Sequence, residues 1–165
     1  MSSRHGAPFF ADGLRFDCTR CQRCCRIDPG VVLMSQNDLD QLSTFLNLPE
    51  GEVRERYCRA VDMGGVTQLS LRERDNYDCV FWEEGGCSVY AARPLQCRSF
   101  PFWPAQLADR ESWRLAGGDC PGIGTGPLHS AIEIAYWLAR RDAEPLLTAD
   151  GAAAASARAP EQGPR

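Results

Sequence analysis

The sequence predicts a small α+β domain, and three observations support this prediction. The chain has 165 residues, a length that suits one domain with a modest hydrophobic core. Segments with the apolar spacing of a helix are interspersed with short runs typical of β-strands. Nine cysteines are spread along these segments, and four of them fall within residues 18–26, "CTRCQRCCR".

Three helices are predicted. Ser35 and Asp38 form a capping-box pattern before a helix with an apolar face of Leu39, Leu42, Phe45 and Leu46. Pro49 suits the first turn of a second helix, which is predicted to extend to about Asp62 with apolar residues four apart, at Val53, Tyr57 and Val61. A third helix, over about residues 128–141, is expected to carry on one face Ile132, Ala135, Tyr136 and Ala139.

Short extended segments and turns fill most of the remaining chain. Residues 30–34 predict a β-type run, "VTQLSL" predicts a strand after the break at Gly64 and Gly65, and residues 79–90 predict a small hairpin. A short strand is expected around Trp113, and residues 122–126, "GIGTG", are expected to be a flexible turn. Residues 148–165 have almost nothing to bury and are predicted to be a disordered tail, so the domain covers residues 1–147.

Composition narrows the classes of function. The net charge is −4, so no global basic field favours nucleic acid or an anionic membrane as a partner. All 18 basic residues are arginines, which excludes Schiff-base chemistry on a lysine. No run approaches the roughly 20 apolar residues of a membrane span, and the first residues lack the apolar stretch of a signal peptide. We therefore expect a cytoplasmic protein.

The cysteines predict a metal site rather than disulfides. A reducing compartment keeps thiols free, and an odd number of cysteines fits a closed disulfide framework poorly. Cys18, Cys21 and Cys24 have the spacing that opens the bacterial ferredoxin pattern, in which a remote cysteine before a proline ligates another cluster. Cys120, which precedes Pro121, is a candidate for such a remote ligand.

Cys25 suggests more than one centre. Adjacent side chains usually diverge, so Cys24 and Cys25 are expected to serve different centres or different corners of one assembly. One possible division has two four-thiolate sites: Cys18, Cys21, Cys24 and Cys120 form the first, and Cys25, Cys79, Cys87 and Cys97 form the second. A single cluster with spare thiols is the alternative. The domain would then be organised around a cysteine-ligated metal.

Residues near these cysteines have two interpretations each. Arg93 and Arg98 flank Cys97, where they would stabilise a negatively charged centre, although such arginines can also be solvated loop residues. An aromatic group could shield the centre or belong to the core; it comprises Phe81, Trp82, Phe100, Phe102 and Trp103. Cys58 is expected to be a structural buried thiol on the second helix. His5 and His129 lack zinc-ligand spacing, so the site should be all-sulfur.

Four segments of the chain together resemble the YkgJ-type cysteine cluster family: "GLRFDCTRCQRCC", "DCVFW", "GCSVYAARPLQCRSFPFW" and "CPG". The resemblance covers roughly residues 9–126 and implies a zinc- or iron-chelating domain. It places the ligand candidates on Cys18, Cys21, Cys24, Cys25, Cys79, Cys87, Cys97 and Cys120, and a further family element on Tyr90, Arg93, Pro94, Cys97 and Arg98. The chain departs from the family at Gln22, where glycine is frequent.

Three hypotheses for function follow. The first is an iron–sulfur protein, with 4Fe–4S as the expected cluster, that transfers electrons or senses redox state with an unidentified redox or protein partner. The second is a structural zinc protein with two four-cysteine sites. The third is a module that delivers metal or clusters. Members of the family are often labelled iron–sulfur oxidoreductases without a defined reaction, so enzymatic activity stays open.

Overall fold

The chain folds into a small α+β structure, as predicted. In a computed structural model, residues 7–26 and 28–150 are described. They form three two-stranded antiparallel sheets, β1–β6, β2–β3 and β4–β5, from strands β1 (Leu14–Phe16), β2 (Cys58–Asp62), β3 (Thr67–Leu71), β4 (Trp82–Glu83), β5 (Gly86–Cys87) and β6 (Ile123–His129). The α-helices of these residues are α1 (Gln36–Leu46), α2 (Glu50–Tyr57), α3 (Leu95–Ser99), α4 (Arg110–Asp119) and α5 (Ala131–Ala143).

The predicted start of α1 is confirmed. The Ser35 hydroxyl accepts a hydrogen bond from the backbone N–H of Asp38, and the Asp38 carboxylate accepts one from the backbone N–H of Ser35. These two bonds satisfy backbone donors that a helix start leaves unpaired. Leu39 and Leu42 are buried as expected, whereas Phe45 of the same predicted face is 48% exposed.

The second helix ends earlier than predicted, at Tyr57, and residues 58–62 form strand β2 instead. This strand pairs with β3 in a hairpin, and Asp62 accepts hydrogen bonds from the backbone N–H groups of Gly64 and Gly65 in the connecting turn. The glycines therefore close a hairpin rather than end a helix. Cys58 is buried, as expected, but in a strand.

Two predictions in the second half of the chain are wrong. Trp113 lies in helix α4, where Asp109 caps the first turn through Ser112, and its ring stacks on Phe102. The predicted flexible turn at residues 122–126 lies largely within strand β6, which pairs with β1. The pairing partner is far away in the sequence, so no local pattern indicates this strand.

The other short segments agree better with prediction. Residues 79–90 contain the small β4–β5 hairpin, in which Trp82 pairs with Cys87. The run at residues 30–34 forms isolated bridges instead of a continuous strand, and Leu33 is bridged to Ser70. Most of the predicted tail, residues 151–165, lies outside the described residues. No described helix has the length and apolar character needed to cross a membrane.

Two hydrophobic clusters form the core. The first lies among α1, α2, β2, β3 and the segment around the β4–β5 hairpin, and its buried residues are Met34, Leu39, Leu42, Val53, Cys58, Leu69, Leu71, Phe81, Val89, Ala92 and Leu147. The second joins the N-terminal strand to α5 through Leu14, Phe102, Leu107 and Ile134. Cys79 and Cys87 pack against the first cluster, so this core supports the cysteine segment around the hairpin.

Helix α5 presents the opposite face from the one predicted. Ile132 is 82% exposed and Tyr136 is also exposed, whereas Ile134 is fully buried with Trp137 and Leu138 packed around it. Both stripes have helical spacing. The observed one buries more apolar area, because a tryptophan and a leucine replace the two alanines of the predicted face.

A pair of substitutions tests this orientation. Ile134→Ala should lower the free energy of unfolding by about 2–4 kcal/mol, because it opens a cavity in the second cluster. The matched Ile132→Ala should change it by less than about 0.5 kcal/mol, because this side chain is already in water. Urea denaturation followed by circular dichroism measures both, and equal losses for the two variants would contradict the orientation.

Candidate metal centre

The sulfur atoms of Cys24 and Cys25 lie close together. Both residues belong to a 3-10 turn, Arg23–Cys25, and their Sγ atoms are 3.9 Å apart. The expectation that these adjacent side chains diverge is therefore wrong, because it assumed extended backbone and the turn curls the two side chains toward one side. Two sulfurs bound at about 2.3 Å to one tetrahedral metal would be about 3.8 Å apart, nearly the same separation.

The backbone before this turn has an unusual conformation. Gln22 has a φ of 65°, in the left-handed region, where a glycine would be free of steric cost. The family that the chain resembles often has glycine at this position. The glutamine therefore keeps the turn but adopts a conformation that costs roughly 1 kcal/mol, which other contacts must offset.

The downstream cysteines come from three further positions. The Cys79 backbone N–H donates to the Cys25 carbonyl at 2.7 Å, which attaches the segment before the hairpin to the cysteine turn. Cys87 lies on β5, and Cys97 lies within α3. Cys79, Cys87 and Cys97 are all half-buried.

These thiols are within electrostatic reach of one another. The pKa of Cys97 is raised by burial first and then by the negative charges of Cys79, Cys24 and Cys87. The pKa of Cys25 is raised by its hydrogen bond to Cys24, by burial and by nearby thiolates, including Cys97 and Cys79. Burial and the Cys24 charge also raise the pKa of Cys87. Cys24, Cys25, Cys79, Cys87 and Cys97 therefore lie in one electrostatic neighbourhood.

The remaining candidates lie beside this group. Cys18 and Cys21 are exposed, and Cys120 follows α4. The pKa of Cys120 is raised by burial and then by the charges of Cys21 and Cys24, so Cys24 is near both proposed sets. Among the described residues, no three cysteine, histidine or acidic side chains form a ready metal-binding group. The described residues therefore do not show the expected cysteine-ligated site.

Arg93 is held next to the cysteine turn by Tyr90. Its guanidinium lies 3.6 Å from the centre of the Tyr90 ring and donates to the Tyr90 carbonyl. Arg20 lies 4.9 Å from the same ring. The hydrogen bond from Cys25, with a smaller contribution from the Arg93 charge, lowers the pKa of Cys24 to about 7. Arg93 therefore adds positive charge where a thiolate forms.

Arg98 is directed to a buried carboxylate. Its Nη2 lies 3.7 Å from Oδ1 of Asp38, and two of its buried nitrogens lack a hydrogen-bond partner. The same Asp38 oxygen accepts a 2.7 Å hydrogen bond from the backbone N–H of Leu95. Asp38, only 2% exposed, thereby joins the start of α1 to the helix that carries Cys97. Its capping role was visible in the sequence, but this second role was not.

Arg141 is a further residue that the sequence did not single out. Burial lowers its pKa, and the charges of Asp38 and Cys97 act against that shift, so it lies near both groups. Its side chain also donates to the Ser99 hydroxyl at 3.4 Å. In the sequence, the only indication of this role is that Arg141 follows Trp137 by four residues and so lies on the buried stripe of α5.

The predicted aromatic group is divided between different roles. Phe81 belongs to the first hydrophobic cluster and Phe102 to the second, so these two are core residues. Phe100 and Trp103 pack edge to face, with their ring centres 5.1 Å apart.

Among the described residues, no contact places a histidine as a metal ligand. Nε2 of His129 lies 3.0 Å from the backbone carbonyl of Phe16, within hydrogen-bond distance. His5 lies outside the described residues.

Comparison with known proteins identifies the family. The sequence profile of the CxxCxxCC family, described as "Putative zinc- or iron-chelating domain", matches residues 17–121, more than half of the chain. The chain therefore belongs to this family of cysteine-rich metal-binding domains. "Uncharacterized protein MJ0661" of Methanocaldococcus jannaschii is 27% identical over 95 residues. The match covers 56% of this chain and 48% of that protein. No solved structure matches the chain.

Cys24 should be an unusually reactive thiol in the metal-free protein. Because its pKa is lowered to about 7, it is largely thiolate above that pH and protonated below it. We expect iodoacetamide to label exposed Cys24 with a rate that rises through about pH 7, as measured by mass spectrometry. Cys58 is the internal control, because burial raises its pKa to about 11. A labelling rate of Cys24 that rises only near pH 9 would show that the contact with Cys25 does not lower the pKa of Cys24.

Asp38 should be essential for stability. Asp38→Ala removes the acceptor of the Ser35 and Leu95 backbone N–H groups and leaves Arg98 without its carboxylate partner, so the free energy of unfolding should fall by about 3 kcal/mol or more. Asp40→Ala, on the exposed side of the same helix, should change it by less than about 0.5 kcal/mol. Urea denaturation of the two metal-free variants gives the comparison. A small effect of Asp38→Ala would show that this carboxylate does not join α1 to α3.

Proposed function

We propose that the chain carries an iron–sulfur cluster, of the 4Fe–4S type, and that it transfers electrons or senses redox state. The observation that supports this best is that thiols from the cysteine turn, the β4–β5 hairpin region and α3 lie within electrostatic range of one another. Such a cluster is held by cysteine thiolates and would supply the ability to accept and donate single electrons.

The chemistry of the donor set fits such a group. Burial raises the pKa values of Cys79, Cys87 and Cys97, and the charge of neighbouring thiolates raises them further. Thiolates gathered in this way repel one another unless a cation offsets their charge. Arg93, fixed against Tyr90 beside Cys24, would contribute to that compensation and favour a more negative, reduced state.

The position of the cysteine run supports exchange with a partner. Cys18, Cys21 and Cys24 are exposed, so a centre bound there would lie near the surface. A redox partner protein could then approach it directly. Free thiols of this kind persist in a reducing compartment, which supports the cytoplasm as the site of action.

Zinc binding is the second candidate, and one distance favours it. The 3.9 Å separation of the Cys24 and Cys25 sulfurs fits two ligands of a single tetrahedral ion. In that case the cysteines would hold together a fold whose hydrophobic clusters are small, and no redox change would follow.

Metal analysis of protein purified without oxygen distinguishes the two. The iron–sulfur proposal requires brown protein with iron and acid-labile sulfide in matching amounts and visible absorption that is bleached by reduction. Colourless protein with stoichiometric zinc would replace it with the structural proposal. Protein that binds neither metal after anaerobic reconstitution would contradict both.

The ligand assignment has its own test. Cys97→Ala should lower the metal content of the purified protein by more than half and lower its melting temperature, because a half-buried ligand is lost. Cys58→Ala is the matched control. It removes a buried thiol that lies outside the predicted ligand set, so metal content should be retained despite some loss of stability. Both are measured by elemental analysis and thermal denaturation, and full metal content in Cys97→Ala would remove Cys97 from the ligands.

A further inference from the structure

Trp82 contacts the cysteine turn on both of its sides. Before the turn, the indole Nε1–H donates to the Gln22 side-chain oxygen at 2.6 Å. After the turn, the guanidinium of Arg26 lies 3.9 Å from the centre of the same indole ring. One side chain thus contacts both residues that flank the sequence Arg23–Cys25.

The second contact is fixed in turn by a buried acid. Arg26 Nε donates to Oδ1 of Asp78 at 2.9 Å, and Asp78 is buried. The other Asp78 oxygen accepts a hydrogen bond from the Asn76 side chain at 2.9 Å. The Arg26 guanidinium is therefore held by a carboxylate while it stacks on the ring, which restricts the end of the turn.

Trp82 also belongs to the segment that carries Cys79 and Cys87. Its backbone N–H donates to the Cys79 carbonyl at 2.9 Å, and Trp82 pairs with Cys87 in the hairpin. The contacts of this tryptophan therefore connect the Cys24–Cys25 pair to Cys79 and Cys87. They also explain how Gln22 is kept in its left-handed conformation, since its side chain has a hydrogen bond that a glycine could not make.

We propose that Trp82 is a positioning residue, which clamps Gln22 and Arg26 and thereby holds the turn with Cys24 and Cys25 against the segment that carries Cys79 and Cys87 before metal binds. This inference rests on the proposed metal site for its consequence, but the clamp itself exists in the metal-free chain. Ligands held in place lose less freedom on binding, so the clamp raises the affinity for metal.

Two single substitutions and their combination test the clamp. Trp82→Phe removes the indole donor but keeps a ring for Arg26, and Gln22→Ala removes the acceptor, a half-buried side chain that belongs to neither hydrophobic cluster. Each should weaken Zn²⁺ binding by about five- to tenfold. The double variant should be no weaker than the worse single variant, because both remove the same bond. Trp137→Phe, on α5, is the matched control and should bind Zn²⁺ as the natural chain does.

Two readouts separate the clamp from the metal site. Zn²⁺ affinity is measured by competition with a colorimetric chelator under reducing conditions. Amide hydrogen exchange in the metal-free proteins reports the clamp without metal, through the Cys25 and Cys79 N–H groups, which are bonded to Gln22 and Cys25 carbonyls. Exchange at these amides should be several-fold faster in Trp82→Phe and Gln22→Ala, with no change in Trp137→Phe.

The outcomes are distinct. Faster exchange together with weaker Zn²⁺ binding supports the proposal. Unchanged exchange in both single variants overturns the clamp, whatever the metal affinity. Faster exchange with Zn²⁺ affinity equal to that of the natural chain overturns the positioning role. If the natural chain binds no Zn²⁺ while exchange still responds, the zinc form of the proposed function fails. The iron and acid-labile sulfide retained after anaerobic reconstitution then measure metal binding, and contents equal to those of the natural chain in both single variants overturn the positioning role.

Discussion

Gathering several cysteine thiols from separate segments is the constraint on which the arrangement of this chain depends. The thiols of Cys24, Cys25, Cys79, Cys87 and Cys97 lie in one electrostatic neighbourhood, and the burial and charges that raise most of their pKa values disfavour ionisation. Folding must therefore supply rigid support around groups that do not attract one another. The first hydrophobic cluster provides part of this support, because Cys79 and Cys87 pack against it. The hydrogen bond from the Cys79 N–H to the Cys25 carbonyl attaches the cysteine turn to the segment before the β4–β5 hairpin.

A buried carboxylate, that of Asp38, positions the helix that bears Cys97. Asp38 accepts bonds from Ser35 and Leu95 and faces Arg98, so one carboxylate fixes the start of α1 and the start of α3. An apolar residue could fill the space but could not orient both backbones. Buried ionic groups contribute little net stability compared with apolar packing, whereas removing one partner is costly. Because removal of Asp38 would leave its partners unpaired, the helix that bears Cys97 is held in one position relative to the start of α1.

The cysteines of the candidate centre differ in their exposure to solvent. Cys18, Cys21 and Cys24 are exposed, whereas Cys25, Cys79, Cys87 and Cys97 are half-buried. Binding residues on loops gain precision when side-chain contacts hold the loop to a rigid element. Trp82 lies where such contacts are needed, because it touches the loop on both sides of the Cys24–Cys25 pair.

The sequence by itself determined the family and the start of α1, and it predicted an all-thiolate donor set. Cysteine spacing and the Ser35–Asp38 capping box depend on residues within a few positions, so they can be recognised in the sequence without knowledge of the fold. Tertiary structure decided which stripe of α5 is buried, that Cys58–Asp62 is a strand, and that β1 pairs with β6. It also decided the contacts of Trp82. In each case a local pattern allowed two arrangements, and the choice came from area buried or hydrogen bonds formed with partners distant in the chain.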